Sequence, residues 1–493
     1  MITLQLFVSV AASVVAVHWI FLKILKIAKI KGLVDNPDAR KLQKSPVPVL
    51  GGIAVFFGLL FGLMAFAATS FLVHGGDPYV VTKGSSLVGI GPALLAASIM
   101  LYVGALDDIM GLTPKARLLI EVLMMLGIIY GTGMCVDSLH GLWGIHEISW
   151  WIAVPLTVFA GVGIINAYNM VDGVNGLSSG LCMACSCILG GILFNRGDIS
   201  NAAFAFCFAG ALLPFYIHNV FGNRSKMFIG DAGTMVMGLL VSWFLIRVMS
   251  SRNAEIFNVT AESKGVCLAA MMLAIASVPV FDTLRVMSAR VMRGVSPFSA
   301  DKTHLHHIFI ATGVSHFVTS LSELLINIVV VAVWYVSYKL GFSLEWQLNV
   351  TILAAAILVW GTYIFLNYQK KHQTKFFVKF NRISRFTHWG NKRWWQALQN
   401  SIDKGAYEDY MMVLKETLNK KTEDMNLKEK DTAAIVNYLQ DKKVSSVDEI
   451  KKESGADPMR VFPILFELEH GHVIEVVQRE SLGAAQMVKL LNF

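Results

Sequence analysis

The chain has 493 residues, 55% of them hydrophobic and only 15% charged, with a mean hydropathy of +0.57 and a formal net charge of +8. Soluble domains carry about a quarter charged residues, so these values exclude a soluble globular chain and a disordered one, and they describe a polytopic membrane protein. The six cysteines lie mostly inside apolar runs and imply no disulfide framework.

Apolar stretches long enough to span a bilayer fall near 4–22, 50–72, 87–106, 117–131, 150–165, 177–194, 202–218, 235–249, 266–282, 321–340 and 348–367. That predicts about eleven transmembrane helices, the fourth and fifth being short. The first run is long before its first charge and lacks a small-residue cleavage site, so it reads as a retained helix. The run CMACSC (Cys182, Cys185, Cys187) has metal-like spacing but no partner ligands in its apolar surroundings, and reads as small packing residues.

Lysine and arginine in short loops mark the cytoplasmic side. They are dense after the first span (Lys23, Lys26, Lys29, Lys31, Arg40, Lys41, Lys44), sparse after the second (Lys83), and dense again after the ninth (Arg285, Arg290, Arg293, Lys302). The tail after the last span is basic as well (Lys370, Lys371, Lys375, Lys379, Arg382, Arg385). Loops after odd-numbered spans are therefore expected in the cytoplasm, with the N-terminus outside and the C-terminus cytoplasmic. Arg247, Arg252 and Lys264 run against this and are diluted by Glu255 and Glu262.

Parity then puts four polar loops on one face: GALDD after the third span, NAYNMVDGVNGLSSG after the fifth, GNRSKMFIGDAGTMVMG after the seventh, and DTLRVMSARVMRGVSPFSADKTHLHH after the ninth. Charges near bilayer depth are costly and usually functional. Asp107, Asp108, Asp172 and Asp231 converge with few local basic partners, which suits a divalent cation. Mg²⁺ takes one or two carboxylates and completes its shell with water and phosphate oxygens. Any single aspartate alone could instead be a helix-end cap. Asn166, Asn169 and Asp172 share one helix face, which Gly173 and Gly176 terminate. Glycines beside Asp231 let backbone approach a phosphate or ion. The His304, His306, His307 run lacks further ligands for a zinc tetrahedron. Among so many basic residues it suits hydrogen bonding to a diphosphate or sugar hydroxyls, with a plain interfacial loop as the alternative.

Together these loops resemble one family, the polyprenyl-phosphate N-acetylhexosamine-1-phosphate transferases. The resemblance runs from about residue 30 to 310 through GGIAVF, GALDD, NAYNMVDGVNGL, MFIGDAGT and SPFSADKTHLHH, and the last motif is similar to the WecA and TagO types. RKLQKSPVPVLGG departs from the pattern, with Gln43 at a position where the family has His, and Thr234 replaces a frequent Ser. The resemblance implies transfer of a sugar-1-phosphate, GlcNAc-1-phosphate in the first instance, from a UDP-N-acetylhexosamine to undecaprenyl phosphate at the bacterial cytoplasmic (inner) membrane, with release of UMP. It implies Mg²⁺, with Mn²⁺ as the alternative, on Asp108 and Asp231. It assigns Asp107 to orienting or deprotonating the lipid phosphate and Asp172 to the nucleotide or the base role. Arg40, Lys41, Lys115, Asn166, Asn169, Asn175, Arg293, His304, His306 and His307 would bind substrate. The competing readings are a phospho-MurNAc-pentapeptide transferase, a proton-coupled transporter and a membrane-tethered regulator.

After residue 370 the composition turns soluble. Residues 368–430 read as a basic helical cytoplasmic linker attracted to anionic lipid. Residues 431–493 read as helix, a second helix capped at Ser445 or Ser446, a third after Gly455, then strand. This winged-helix-like pattern resembles the C-terminal domain of DprA-like proteins. Its third helix carries Asp457, Glu467 and Glu469 against Arg460, which disfavours DNA and favours a protein partner. The expected fold is thus an all-α polytopic membrane protein with transferase domain 1–367 and a small α+β tail domain. A second copy of the chain is an optional partner, and the tail is expected to be dispensable for chemistry.

Overall fold

The computed structural model describes residues 1–35, 46–73, 87–251, 265–297, 302–390, 392–470, 473–479 and 485–491. They divide into two compact units, Met1–Tyr407 and Glu408–Phe493, so the division falls inside the stretch expected as a linker.

The first unit is helical. In chain order come α1 (Ile2–Lys31), α2 (Gly51–Val73), α3 (Gly91–Met110), α4 (Pro114–Thr132), α5 (Trp150–Val171), α6 (Leu177–Asn195), α7 (Ile199–Phe221) and α8 (Gly230–Met249). A pair bent by 79°, α9 (Leu268–Ile275) and α10 (Ser277–Met292), is followed by α11 (Leu305–Ala311), α12 (His316–Lys339) and α13 (Leu344–Lys371). The amphipathic α14 (Lys375–Ser384) and α15 (Arg393–Lys442) complete the helices that reach into this unit. Among the described residues nine helices are long and apolar enough to cross a membrane, or ten if the bent pair is one span. The remaining expected span corresponds to α4, whose first turns carry Lys115, Arg117 and Glu121.

Helix α8 is the axis of the bundle. Every residue from Ala232 to Met249 is buried, by α2, α3, α5 and α6. At its far end Arg247 Nε lies 2.7 Å from Asp198 Oδ2, both side chains buried. A buried guanidinium is tolerable only when so partnered. The opposite end of α8 meets the short ladder of β1 (Val34–Asp35) and β2 (Val47–Pro48), in which Val34 faces Pro48 and Asp35 faces Val47. Phe228 N donates to Pro48 O (2.8 Å) and Gly52 N to Ile229 O (2.8 Å). The start of α2 is thereby fastened to the loop that opens α8.

The second unit contains the end of α15, then β3 (Val444–Ser446), α16 (Val447–Glu453), α17 (Pro458–His470), β4 (Ile474–Arg479) and β5 (Ala485–Leu490). Its antiparallel sheet has the order β3-β5-β4. Ser446 caps α16 in a reciprocal capping box with Glu449. Ile435, Leu439, Ile450, Val461, Leu465, Ile474 and Val488 form its small core.

Candidate active site

The polar residues gather where α3 ends and where α4 and α8 begin. Asp108, in the last turn of α3, accepts from Asp231 N (2.8 Å) and Ala232 N (3.1 Å). It thus caps the positive end of α8, where a carboxylate is favoured by the helix dipole. Gly230 adopts φ +73°, and a Cβ there would lie 2.4 Å from Asp108 Oδ2. Only glycine combines that backbone with that approach. Asp107 accepts from Leu112 N at 2.6 Å, turning the chain toward α4. Thr113 accepts from Ala116 N (3.3 Å) as N-cap, and Pro114 fills the first helical position.

That turn delivers Arg117. Its guanidinium lies 3.6 Å from Asp107 Oδ2, 3.6 Å from Asp231 Oδ1 and 3.1 Å from Glu121 Oε1. Glu121 is fully buried and also accepts from Asn166 Nδ2 at 2.5 Å. One turn on, Asn169 Nδ2 donates to Asp231 Oδ1 and to Thr234 Oγ1 (2.8 Å). The amide face of α5 therefore orients carboxylates. Asp172 ends α5 and accepts from Ser178 Oγ at 2.5 Å. Asp172 and Asp35 both lie near enough to Asp231 for like charges to repel.

The histidine run is built from the bent pair. Asp282, buried in α10, accepts from His304 Nδ1 (2.8 Å), Leu305 N (3.1 Å) and Arg285 Nη2 (2.7 Å). Arg285 also donates to Thr303 O (2.5 Å) and stacks 3.5 Å over Tyr363. A carboxylate acceptor at Nδ1 places the imidazole proton there and leaves Nε2 as the second, chemically distinct nitrogen. His304 stacks on His306 (5.6 Å between centroids), which meets His307 (4.3 Å). A Cβ on Gly173 would lie 2.3 Å from His306 Nε2, so the run packs directly against the loop of Asp172. Burial, reinforced by His307 and His304, holds His306 well below the usual histidine range. Its Nδ1 is buried without a hydrogen-bond partner among the described residues.

Asp108, Asp231 and Asn169 thus meet directly, Asp107 joins through Arg117, Asn166 joins through Glu121 and Arg117, and His306 adjoins Gly173 beside Asp172. Lys115 is exposed, and Asn175 is half-buried in the turn before α6. Arg293 is exposed at the end of α10 with Nε on Ala289 O (3.0 Å). Arg285 is the arginine tied to His304, through Asp282. Arg40, Lys41 and Gln43 lie outside the described residues. Sequence reasoning left out Arg117, Glu121, Asp35 and Asp282 as site residues and counted Arg285 only among the basic residues around the histidine run. The i,i+4 spacing of Arg117 and Glu121 was an available signal, whereas Asp282 pairs with His304 only through tertiary structure.

Among the described residues no three acid, histidine or cysteine side chains converge tightly enough to hold a metal by themselves. A site offering one or two carboxylates beside phosphate-binding donors is nevertheless the kind Mg²⁺ uses, the substrate completing its shell. Asp107, Asp108, Asp172 and Asp231 all lie at helix ends. The architecture is a bundle of membrane-length helices with carboxylates and an arginine clustered at helix ends. Residues 91–249 match glycosyl transferase family 4. The chain is 32% identical over 349 residues to the undecaprenyl-phosphate alpha-N-acetylglucosaminyl 1-phosphate transferase of Escherichia coli K12, covering 84% of that protein and 68% of this one. The Yersinia pestis enzyme of the same name is 30% identical over 339 residues, with the same coverages. A probable undecaprenyl-phosphate N-acetylglucosaminyl 1-phosphate transferase of Bacillus subtilis is 28% identical over 300 residues, covering 75% of that protein and 60% of this one. The chain belongs to this family of sugar-1-phosphate transferases.

Proposed function

We propose that the protein transfers N-acetylglucosamine-1-phosphate from UDP-GlcNAc to undecaprenyl phosphate, releasing UMP and forming the lipid-linked first sugar of an envelope polysaccharide. The observation that carries the reading is the cluster of Asp107, Asp231 and Arg117 at the end of α8, in a chain related to enzymes of that name. Phosphoryl transfer needs positioning and charge neutralisation more than covalent help. Asp231 and Asp108 would hold Mg²⁺, which would supply Lewis-acid polarisation of the diphosphate. Asp108 would do so with both of its oxygens also accepting the first N–H groups of α8. Asp107 faces the acceptor phosphate, whose second pKa of about 6 leaves it mostly ionised, so no strong base is needed. Asp172 serves the nucleotide or acts as alternative base. His304, oriented by Asp282, takes the sugar and diphosphate together with His306, His307 and Arg293, while Asn166 and Asn169 fix the carboxylates.

The charge distribution of the loops supports a cytoplasmic active site in the bacterial inner membrane, an external N-terminus and about eleven spans, α4 included. The order helix, strand, helix, helix, hairpin supports a winged-helix reading of the second unit. There Arg460 pairs with Asp431 (2.8 Å) and Asp457 (3.2 Å). That neutralisation favours a protein partner over DNA, which demands a basic face. The test is UMP release from UDP-GlcNAc with undecaprenyl phosphate, with and without Mg²⁺, beside UDP-GalNAc and UDP-glucose. UDP-GlcNAc should react, and UDP-glucose should be poor, because a site built for the acetamido group leaves its own polar atoms unpaired without it. Reaction with another UDP-sugar and none with UDP-GlcNAc would overturn the reading.

A further inference from the structure

The loop between α7 and α8 delivers Asp231, and its first half is held by a residue far away in sequence. Asp403, in the third turn of α15 and only 5% exposed, receives Asn223 N (3.2 Å), Arg224 N (2.8 Å), Ser225 N (2.9 Å) and Ser225 Oγ (2.6 Å). Consecutive backbone N–H groups aimed at one point form an anion-binding nest. Here the anion is supplied by the chain itself, and charge-assisted bonds of this kind are the strong ones. Lys29 Nζ donates to Arg224 O (2.6 Å) and His218 Nδ1 lies 2.9 Å from Ser225 Oγ. Trp395, two turns before Asp403, packs on Phe221 with ring centroids 5.5 Å apart. The loop's second half is tied to β2 and the start of α2, and then to Asp108. Asp231 emerges from a segment fixed at both ends, and one of the two fixings is Asp403.

We propose that Asp403 is a positioning residue for the transfer reaction, setting the loop that presents Asp231 to Arg117 and Asn169. Burial opposes its charge, but hydrogen bonds from Arg224, Ser225 and Asn223 outweigh that and keep the carboxyl below the usual range. A lowered pKa contributes stability that is complete above the unfolded value of about 3.9 and is lost as pH falls through the folded one. The clamp is therefore closed throughout the neutral range.

The proposal rests on the transferase reading, and the experiment separates the two. Hydrogen exchange of the full chain in detergent, without metal or substrate, follows peptides covering residues 222–229. Asp403→Ala should speed their exchange at least tenfold and lower kcat at least tenfold, with a smaller change in the KM for UDP-GlcNAc. Asp403→Glu, which keeps the carboxylate, should recover part of both effects. If Asp403→Ala does not fold, Ser225→Ala removes one donor and should produce the same changes on a smaller scale. Unchanged exchange, or faster exchange with unchanged kcat, would sink the proposal. A wild-type protein that releases no UMP defeats the transferase reading instead, while the exchange measurement still decides whether Asp403 holds the loop.

Discussion

Arg117 carries an unusual load for one side chain, with three carboxylates within ion-pair reach. The partly exposed contacts to Asp107 and Asp231 contribute little to stability, about 0–1 kcal/mol each. Glu121 is different, because removing Arg117 leaves a buried carboxylate with only Asn166, at a cost of about 3 kcal/mol. Arg117→Ala should lower UMP release at least a hundredfold and lower Tm. Arg117→Lys should recover stability better than rate, since an ammonium cannot span the fork a guanidinium spans. Near-normal rates in Arg117→Ala would remove it from the site. Asp231→Asn should also cost orders of magnitude, partly restored by raising Mg²⁺, whereas normal rates at low Mg²⁺ would refute its assignment to the metal. The aspartates were legible in the sequence because acids in apolar surroundings are rare and expensive. Arg117 was harder to read, because a basic residue in the first turn of a helix is ordinary and only its i,i+4 spacing to Glu121 marked it.

Helix ends do most of the positioning. At the start of α8, Gly230 sits at φ +73° against Asp108. Gly230→Ala combines about 1–3 kcal/mol of backbone strain with a clash into the capping carboxylate, so kcat should fall at least tenfold, and a wild-type rate would show the cap to be irrelevant. The end of α5 was predictable from Gly173 and Gly176 falling just after its polar last turn, although Gly161 and Gly163 are carried inside the same helix. What the asparagines on its last turns touch was not predictable, since the partners come from α4 and α8. The histidine helix α11 adds a pH dependence. His306 binds its proton far more weakly when folded, so below the unfolded pKa of about 6.5 the unfolded chain takes up a proton that the native one refuses. Stability is therefore complete above that value and lost as pH falls. His306→Gln should flatten the decline in Tm between pH 7.5 and 5.5, and an unchanged decline would exclude His306 as its source.

At the scale of the whole chain, hydropathy located a helix for each expected span, because membrane length and backbone satisfaction leave few alternatives. Charge counting was distorted by Arg247, which the structure pairs with Asp198 in the protein interior. Composition also gives no sign of the contact that the stretch after residue 370 makes with residues 223–225. A single Asp403 in a mixed-charge stretch carries no mark in sequence, yet the first compact unit extends to Tyr407 and includes it. Two truncations turn this into a sharp expectation. A chain ending after Tyr407 keeps Asp403, Trp395 and every residue of the acidic cluster, and should release UMP at close to the full-length rate per folded molecule. A chain ending after Gly390 keeps the same acidic cluster and all the membrane-length helices, but loses both the carboxylate under residues 223–225 and the Trp395 contact with Phe221. Its rate should fall at least tenfold while it remains folded and membrane-inserted. Equal rates in the two would mean that the loop of Asp231 is held adequately without α15. Loss in both would assign an essential role to the second unit.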